Sequence, residues 1–339
     1  TDIEILTSVK NVLVNKKLNI AIVPHENPDG DAIGSAIGLA EVLKDYGHIV
    51  NIVTPNDYPD FLKWFSAEVN IIKYDGNKKK GKSIILNADV LICVDFNEIS
   101  RSGKVENAIA AFGKIKILID HHPQPTNFCD FMISEPPYSS TAELIFDVLH
   151  KIGLEKNITQ SAAEALYTGI LTDTGSFSHN TSRPNTFKVV SELMKYGIDT
   201  EKIQSGVYHN FSADRMKLLG YCLNQKMNVF PEFRAAFISI TQEELGKYDF
   251  KPGDTEGFVN YPLSIKNIVF CAIFIEKEGF VKASFRSKGD FPANKFARKY
   301  FNGGGHLNAA GGESKLTMEE TLDKFTQLLP EFKHQLLKT

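Results

Sequence analysis

The sequence predicts a two-lobed α/β protein. An N-terminal lobe built on a parallel sheet spans residues 1–190, a helical connector 191–227, and a smaller mixed α/β lobe 228–339. Three observations predict this. Short, almost wholly apolar runs alternate with helical patterns through the first lobe, the rhythm of βαβ units. Several of those runs end in ionisable residues, as strands of an open sheet do at the edge where ligands bind. After Val229 the pattern turns strand-rich.

Residues 1–18 read as an amphipathic helix. Ile20–Val23 reads as a buried strand ended by Pro24, with a helix over Ala32–Tyr46 stopped by Gly47. His48–Pro55 is the next strand. Asn56, Asp57 and Pro59 make a turn before a short helix near Phe61–Phe65, and a short strand follows at Ile71–Tyr74. Lys78, Lys79, Lys80 and Lys82 form a basic run, read as a solvated surface. Val90–Phe96 and Ile115–Ile119 are buried strands, the first with Asp95 near its end and the second closing on Asp120, His121 and His122. Helices are predicted over Ser139–Ile152 and Thr159–Leu171, then through Lys195 and Val207 to about Lys226. In the C-terminal lobe, strands are predicted at Ala235–Thr241, Asn267–Glu276 and Phe280–Arg286, with a hairpin turn at Glu278-Gly279. Helices follow at Asn294–Phe301 and Met318–Leu336.

Composition excludes several classes. At 339 residues, 42% hydrophobic and 23% charged, this is an ordinary globular chain. A net charge of −3 confines any polyanion contact to a local patch. The four cysteines, Cys93, Cys129, Cys222 and Cys271, are scattered without a CxxC pair, so they read as buried reduced thiols. With no apolar run near eighteen residues and no signal peptide, the expectation is a cytoplasmic protein with no membrane partner.

The chemistry collects at strand ends. His25, Asp29 and Asp31 follow the first strand, at the start of a helix. Asp95, His121 and Asp173 join them as candidate ligands. Four carboxylates brought together repel unless cations lie among them. Oxygen donors with imidazole and no thiolate suit Mn²⁺, with Mg²⁺, Fe²⁺ and Co²⁺ as alternatives. Two divalent ions would offset four carboxylates in charge and clamp a phosphate. A calcium loop is excluded, because the ligand spacing after Asp31 is absent.

In the C-terminal lobe, Val281–Tyr300 carries six basic residues against the single acid Asp290, a local charge of +5. Arg286 is the strongest candidate there for a phosphate clamp, with Ser287 and Lys288 weaker. Gly303, Gly304 and Gly305 can bring backbone N–H groups close to an anion, and His306 adds a donor. His179, in the loop after Asp173, reads as a loop histidine.

These motifs, His25-x₃-Asp29-x-Asp31, Asp95, Asp120-His121-His122, Asp173 and the far Gly303-Gly-Gly-His306, resemble the DHH phosphoesterase superfamily with its DHH-associated C-terminal domain. The resemblance covers residues 20–312 and is strongest to the nanoRNase/pAp phosphatase branch. It implies a Rossmann-like N-terminal catalytic domain and a C-terminal substrate-binding domain. It implies one metal on His25, Asp29 and Asp95 and a second on Asp31, Asp95, His121 and Asp173. His122 would assist the leaving oxygen, with Asp120 orienting a histidine. The implied reaction is attack by a metal-bridging hydroxide on short oligoribonucleotides or 3′-phosphoadenosine 5′-phosphate, lodged between the lobes. A homodimer stays open. The rival readings are a manganese pyrophosphatase or exopolyphosphatase, a linear or cyclic di-AMP phosphodiesterase, and a cyclic-dinucleotide sensor without turnover.

Overall fold

The apolar run Asn19–Val23 forms strand β1 at the middle of a parallel sheet, and all of it but Asn19 is buried. The computed structural model describes residues 2–65 and 69–339, so Thr1 of the expected first helix lies outside the described residues. The chain divides into two units, Thr1–Asn210 and Phe211–Thr339, so the helical stretch 191–227 is split between them.

In the first unit, α1 (Ile3–Val14) precedes β1, and α2 (Gly30–Tyr46) follows it. Asp29 caps α2 by accepting from the N–H groups of Asp31 and Ala32. Gly47 ends the helix in a left-handed conformation, its N–H on the carbonyls of Leu43 and Lys44. Then come β2 (Ile49–Thr54), β3 (Asn70–Lys73), α3 (Lys78–Asn87), β4 (Val90–Val94), α4 (Glu106–Ala110), β5 (Ile115–Asp120) and β6 (Phe131–Ser134). Helices α5 (Thr141–Ile152), α6 (Gln160–Asp173), α7 (Pro184–Met194) and α8 (Thr200–Tyr208) complete the unit. The strand order is β3-β2-β1-β4-β5-β6, and every pair is parallel. Chain direction across the sheet reverses between β1 and β4, where a crevice opens at the strands' carboxyl ends.

The basic run at Lys78–Lys82 lies on α3 with all four lysines exposed. The short helix expected near Phe61 is a single 3₁₀ turn, Asp60–Leu62. Strand β6 was not expected: Phe131–Ser134 is four residues long with only Ile133 buried, too short to show a period.

The second unit holds α9 (Ala213–Tyr221), β7 (Met227–Phe230), β8 (Ala235–Ile240), α10 (Gln242–Gly246), β9 (Phe270–Lys277), β10 (Phe280–Ser287), α11 (Ala293–Tyr300), β11 (Gly304–His306), β12 (Ala309–Ser314) and α12 (Met318–Lys338). Its sheet runs β11-β12-β10-β9-β8-β7, antiparallel except for the pair β8 and β9. Phe270, Phe274, Phe285, Phe296, Phe301 and Phe325 fill its core. The four free cysteines are buried. Among the described residues no helix is long and apolar enough to cross a membrane.

One seam positions the crevice. Gly30, Gly34 and Gly38 recur every fourth residue along α2 and face α6. A Cβ on Gly34 would lie 2.5 Å from the Ala165 carbonyl oxygen and 2.8 Å from the Gly169 nitrogen. On α6, a Cβ on Gly169 would lie 2.9 Å from Oδ1 of Asp31. The helices therefore approach backbone to backbone, which sets Asp31 on α2 against the end of α6. We predict that Gly34→Ala destabilises the fold. Overpacking costs about 1–3 kcal/mol, set against the roughly 0.5–1 kcal/mol that alanine gains in a helix. Gly38→Ala meets mainly the Leu166 side chain, which can turn aside, so its midpoint in urea unfolding should fall less than that of Gly34→Ala.

Candidate metal centre

Four segments of the first unit deliver acids and imidazoles to one place. The loop after β1 supplies His25 and Asp29, and the first turn of α2 supplies Asp31. Asp95 follows β4, Asp120 ends β5 with His121 and His122 directly after it, and Asp173 is the last residue of α6. Asp95 has a φ of +65°, a left-handed conformation that few residues other than glycine adopt, aspartate and asparagine more readily than most. Its N–H is held by the Ile119 carbonyl at 3.1 Å.

The donors fall into two groups that share Asp95. Nε2 of His25 lies 3.8 Å from Oδ1 of Asp29 and 3.5 Å from Oδ2 of Asp95. Nε2 of His121 lies 3.8 Å from Oδ2 of Asp31, 3.7 Å from Oδ1 of Asp95 and 3.6 Å from Oδ2 of Asp173. These gaps exceed a hydrogen bond, and neighbouring donors on one cation stand apart by a similar span, about 3 Å for octahedral bonds near 2.1 Å. Both imidazoles are oriented by a main-chain carbonyl. Nδ1 of His25 is 2.8 Å from the Glu26 carbonyl, and Nδ1 of His121 is 3.2 Å from that of Tyr138. A carbonyl can only accept, so it holds a proton on Nδ1 and turns Nε2 to the acids, the nitrogen that a metal would take in exchange for any proton there.

The charges are in conflict without a cation. Burial, then the charges of Asp95 and Asp173, push Asp31 well above the ordinary carboxylate range. Burial opposes protonation of His25, but its contacts with Asp29 and Asp95 outweigh that and lift it to about 10. Burial also opposes protonation of His121, and the charges of Asp31, Asp95 and Asp120 overcome it. Asp173 sits at the C-terminal end of α6, where the helix dipole disfavours an anion. A divalent cation held by these residues would relieve all of these at once, taking the place of the histidine protons. The hard oxygen and imidazole donors fit such an ion.

The protein stabilises part of this charge with neutral donors of its own. Asp31 accepts from the N–H of Thr141 at 2.7 Å, the N–H of Ala142 at 3.0 Å and the Ser35 hydroxyl at 3.2 Å. The Thr141 hydroxyl donates to Oδ1 of Asp95 at 2.8 Å. These partners were missed from sequence, although Ser139-Ser140-Thr141 before an apolar helix is a cap signal. Arg101 was also missed. Its carbonyl accepts from Glu26 N–H at 2.7 Å, and its charge bears on His25 and Asp29.

Asp120 is fully buried and pairs with its neighbour: Nδ1 of His122 lies 2.7 Å from its Oδ1. Burial, then the charge of Asp95, raises Asp120 to about 7. Its Oδ2 has no hydrogen-bond partner among the described residues.

In the second unit, Arg286 on β10 and His306 on β11 are both in register with Ala309 on β12. Residues in one row across a sheet face the same side, so both side chains stand on one face, separated by one strand. The adjacent Ser287 is buried on the opposite face. Its hydroxyl donates to the Phe291 carbonyl and accepts from Asn308, so it holds the loop together. Gly304 and Gly305 lie in the edge strand β11, with Gly303 just before it. A Cβ on Gly303 would lie 1.9 Å from the Gly311 carbonyl oxygen, and Gly305 has a φ of +135°.

The sequence model of the DHH family, N-terminal domain, matches residues 19–170, and that of the DHHA1 domain matches residues 235–335. The chain is 30% identical over 292 residues to the bifunctional oligoribonuclease and PAP phosphatase NrnA of Bacillus subtilis, covering 85% of this chain and 86% of that protein. The protein of the same name from Thermus thermophilus is 29% identical over 315 residues, covering 92% of this chain and 89% of that one. The crystal structure of an exopolyphosphatase-related protein from Bacteroides fragilis superposes with a TM-score of 0.92 at 42% identity, covering 99% of each chain.

A cation bound only by the folded chain stabilises it, by about 2.7 kcal/mol at one hundred times Kd. We predict that Mn²⁺ raises the melting temperature and EDTA reverses the rise. Asp173→Asn should lose most of that rise, yet melt no lower than the parent in EDTA, because it removes an anion from a helix C-terminus. An undiminished Mn²⁺ shift in this variant would exclude Asp173 as a ligand.

Proposed function

This chain belongs to the DHH family, and from that premise we propose that it is a metal-dependent phosphoesterase releasing mononucleotides from short oligoribonucleotides and dephosphorylating 3′-phosphoadenosine 5′-phosphate. The observation that carries the reading is the double group of donors joined through Asp95. The names of the Bacillus and Thermus relatives support the choice of substrate. The proposed cofactors are two divalent ions with Mn²⁺ preferred, one on His25, Asp29 and Asp95 and the other on Asp31, Asp95, His121 and Asp173.

Bound there, the ions would supply positive charge to the scissile phosphate and lower the pKa of an attacking water. The rest is work for the chain's own groups. His122, anchored through Nδ1 to Asp120, would hand a proton from Nε2 to the departing oxygen. Asp120 keeps the imidazole in that tautomer. The N–H groups opening α5 aim Asp31 and favour its ionised form against the burial and neighbouring charges that oppose it. In the second unit, Arg286 would bind a further substrate phosphate as a guanidinium fork, with His306 and the Gly303–Gly305 edge adding donors.

The test is a product time course on RNAs of graded length, labelled at either end, with 3′-phosphoadenosine 5′-phosphate, cyclic di-AMP and diphosphate alongside, all in Mn²⁺. The expected result is mononucleotides from the shortest RNAs and AMP from the bisphosphate, both abolished by Asp95→Ala. Turnover of diphosphate alone would make the protein a pyrophosphatase, and tight cyclic-dinucleotide binding without product would make it a sensor. Arg286→Ala should raise KM about tenfold or more while changing kcat less, since it removes a binding contact remote from the reacting bond.

A further inference from the structure

Thr141 hydrogen-bonds both Asp31 and Asp95. It opens α5 and is fully buried. Its N–H donates to Oδ2 of Asp31 at 2.7 Å, and its hydroxyl donates to Oδ1 of Asp95 at 2.8 Å. Asp95 is the carboxylate common to both donor groups, with Oδ2 toward His25 and Oδ1 toward His121. A carboxylate can turn about its Cβ–Cγ bond, and a turn here would take one oxygen away from one group. The Thr141 hydroxyl resists that turn.

Thr141 is itself held rigidly. Ser140 caps α5 by accepting from the Glu143 N–H at 3.0 Å. Glu143 is fully buried and accepts from the Ser139 N–H at 3.0 Å and the Ser139 hydroxyl at 2.6 Å. It also accepts from the Thr186 hydroxyl at 2.9 Å and the Asn185 amide at 2.8 Å, both on α7. The first turn of α5 is thus tied to α7, and the hydroxyl of Thr141 is presented from a fixed frame. Asp95 needs such an external hold, because its own backbone sits in the left-handed region.

We propose that Thr141 is a positioning residue that fixes the bridging orientation of Asp95 and so makes the two cation sites fill as a pair. The inference rests on the two-ion reading given above. It goes further by assigning the coupling to one hydroxyl.

The experiment is a Mn²⁺ titration of the whole protein by calorimetry and by electron paramagnetic resonance, which reports close pairs of Mn²⁺ ions through their spin coupling. The wild type should bind two ions and show the coupled signal. Thr141→Val keeps the shape and the N–H on Asp31 but removes the hydroxyl. It should weaken one of the two ions about tenfold or more, the range expected when a partner of a metal ligand is lost. The coupled signal and the Mn²⁺ dependence of turnover should move to higher concentration by the same factor. Thr141→Ser should restore both. If Thr141→Val fails to fold in EDTA, Thr141→Ala carries the same expectation. Wild-type binding of both ions in the hydroxyl-free variant overturns the inference and leaves the proposed function standing. Equal losses in the serine and valine variants also overturn it, since the methyl group would then be responsible. Fewer than two ions in the wild type overturns the two-ion reading and this inference with it.

Discussion

Anions that repel one another are forced together at the carboxyl ends of β1, β4 and β5, and the first unit is arranged around bearing that repulsion. Two unit charges about 4 Å apart interact by about 4 kcal/mol at an effective dielectric of 20. The fold opposes that with groups it can position at no net charge. Asp29 caps α2, the opening turn of α5 donates twice to Asp31, and Thr141 donates to Asp95. These donors hold the acids in place without cancelling them. The remaining charge favours a cation in the crevice, and the same acids favour the protonated forms of His25 and His121.

The same logic explains why the architecture is as close-packed as it is around the crevice. Asp31 and Asp173 belong to different helices, and only a seam without side chains lets α2 and α6 approach near enough for both to serve one imidazole. Strand order does the rest. β1, β4 and β5 are neighbours in the sheet, so the residues at their carboxyl ends meet, with His25 3.5 Å and His121 3.7 Å from Asp95. In the second unit a comparable economy appears in the β10, β12 and β11 row, where strand register alone sets Arg286 and His306 on a common face.

Most of the first unit was legible because its strands are buried on both faces. Runs such as Ile20–Val23 and Val90–Val94 have no polar interruptions, and α2 and α6 carry clear caps, Gly47 on the first and Thr159 on the second. The ionisable residues stood out for the same reason, as charges closing apolar runs. What sequence could not show were short strands whose residues lack a period. Phe131–Ser134 is one, and Gly304–His306 with Ala309–Ser314 is another, where glycines that read as a loop are an edge hairpin held against β12. Ser287 reads as a weaker phosphate candidate than Arg286, and strand alternation turns the two to opposite faces. The partners that aim the acids were also hidden. Thr141 and Ser35 are separated from Asp95 and Asp31 by anything from one helical turn to more than a hundred residues.

The central claim is that these acids and imidazoles cage a pair of dications. Its most direct test is diffraction from crystals soaked in Mn²⁺, with data collected on both sides of the manganese absorption edge. The account predicts two anomalous peaks, one enclosed by His25, Asp29 and Asp95 and the other by Asp31, His121 and Asp173, with Asp95 touching both. A crystal that takes up manganese elsewhere and shows no peak among these side chains would contradict it.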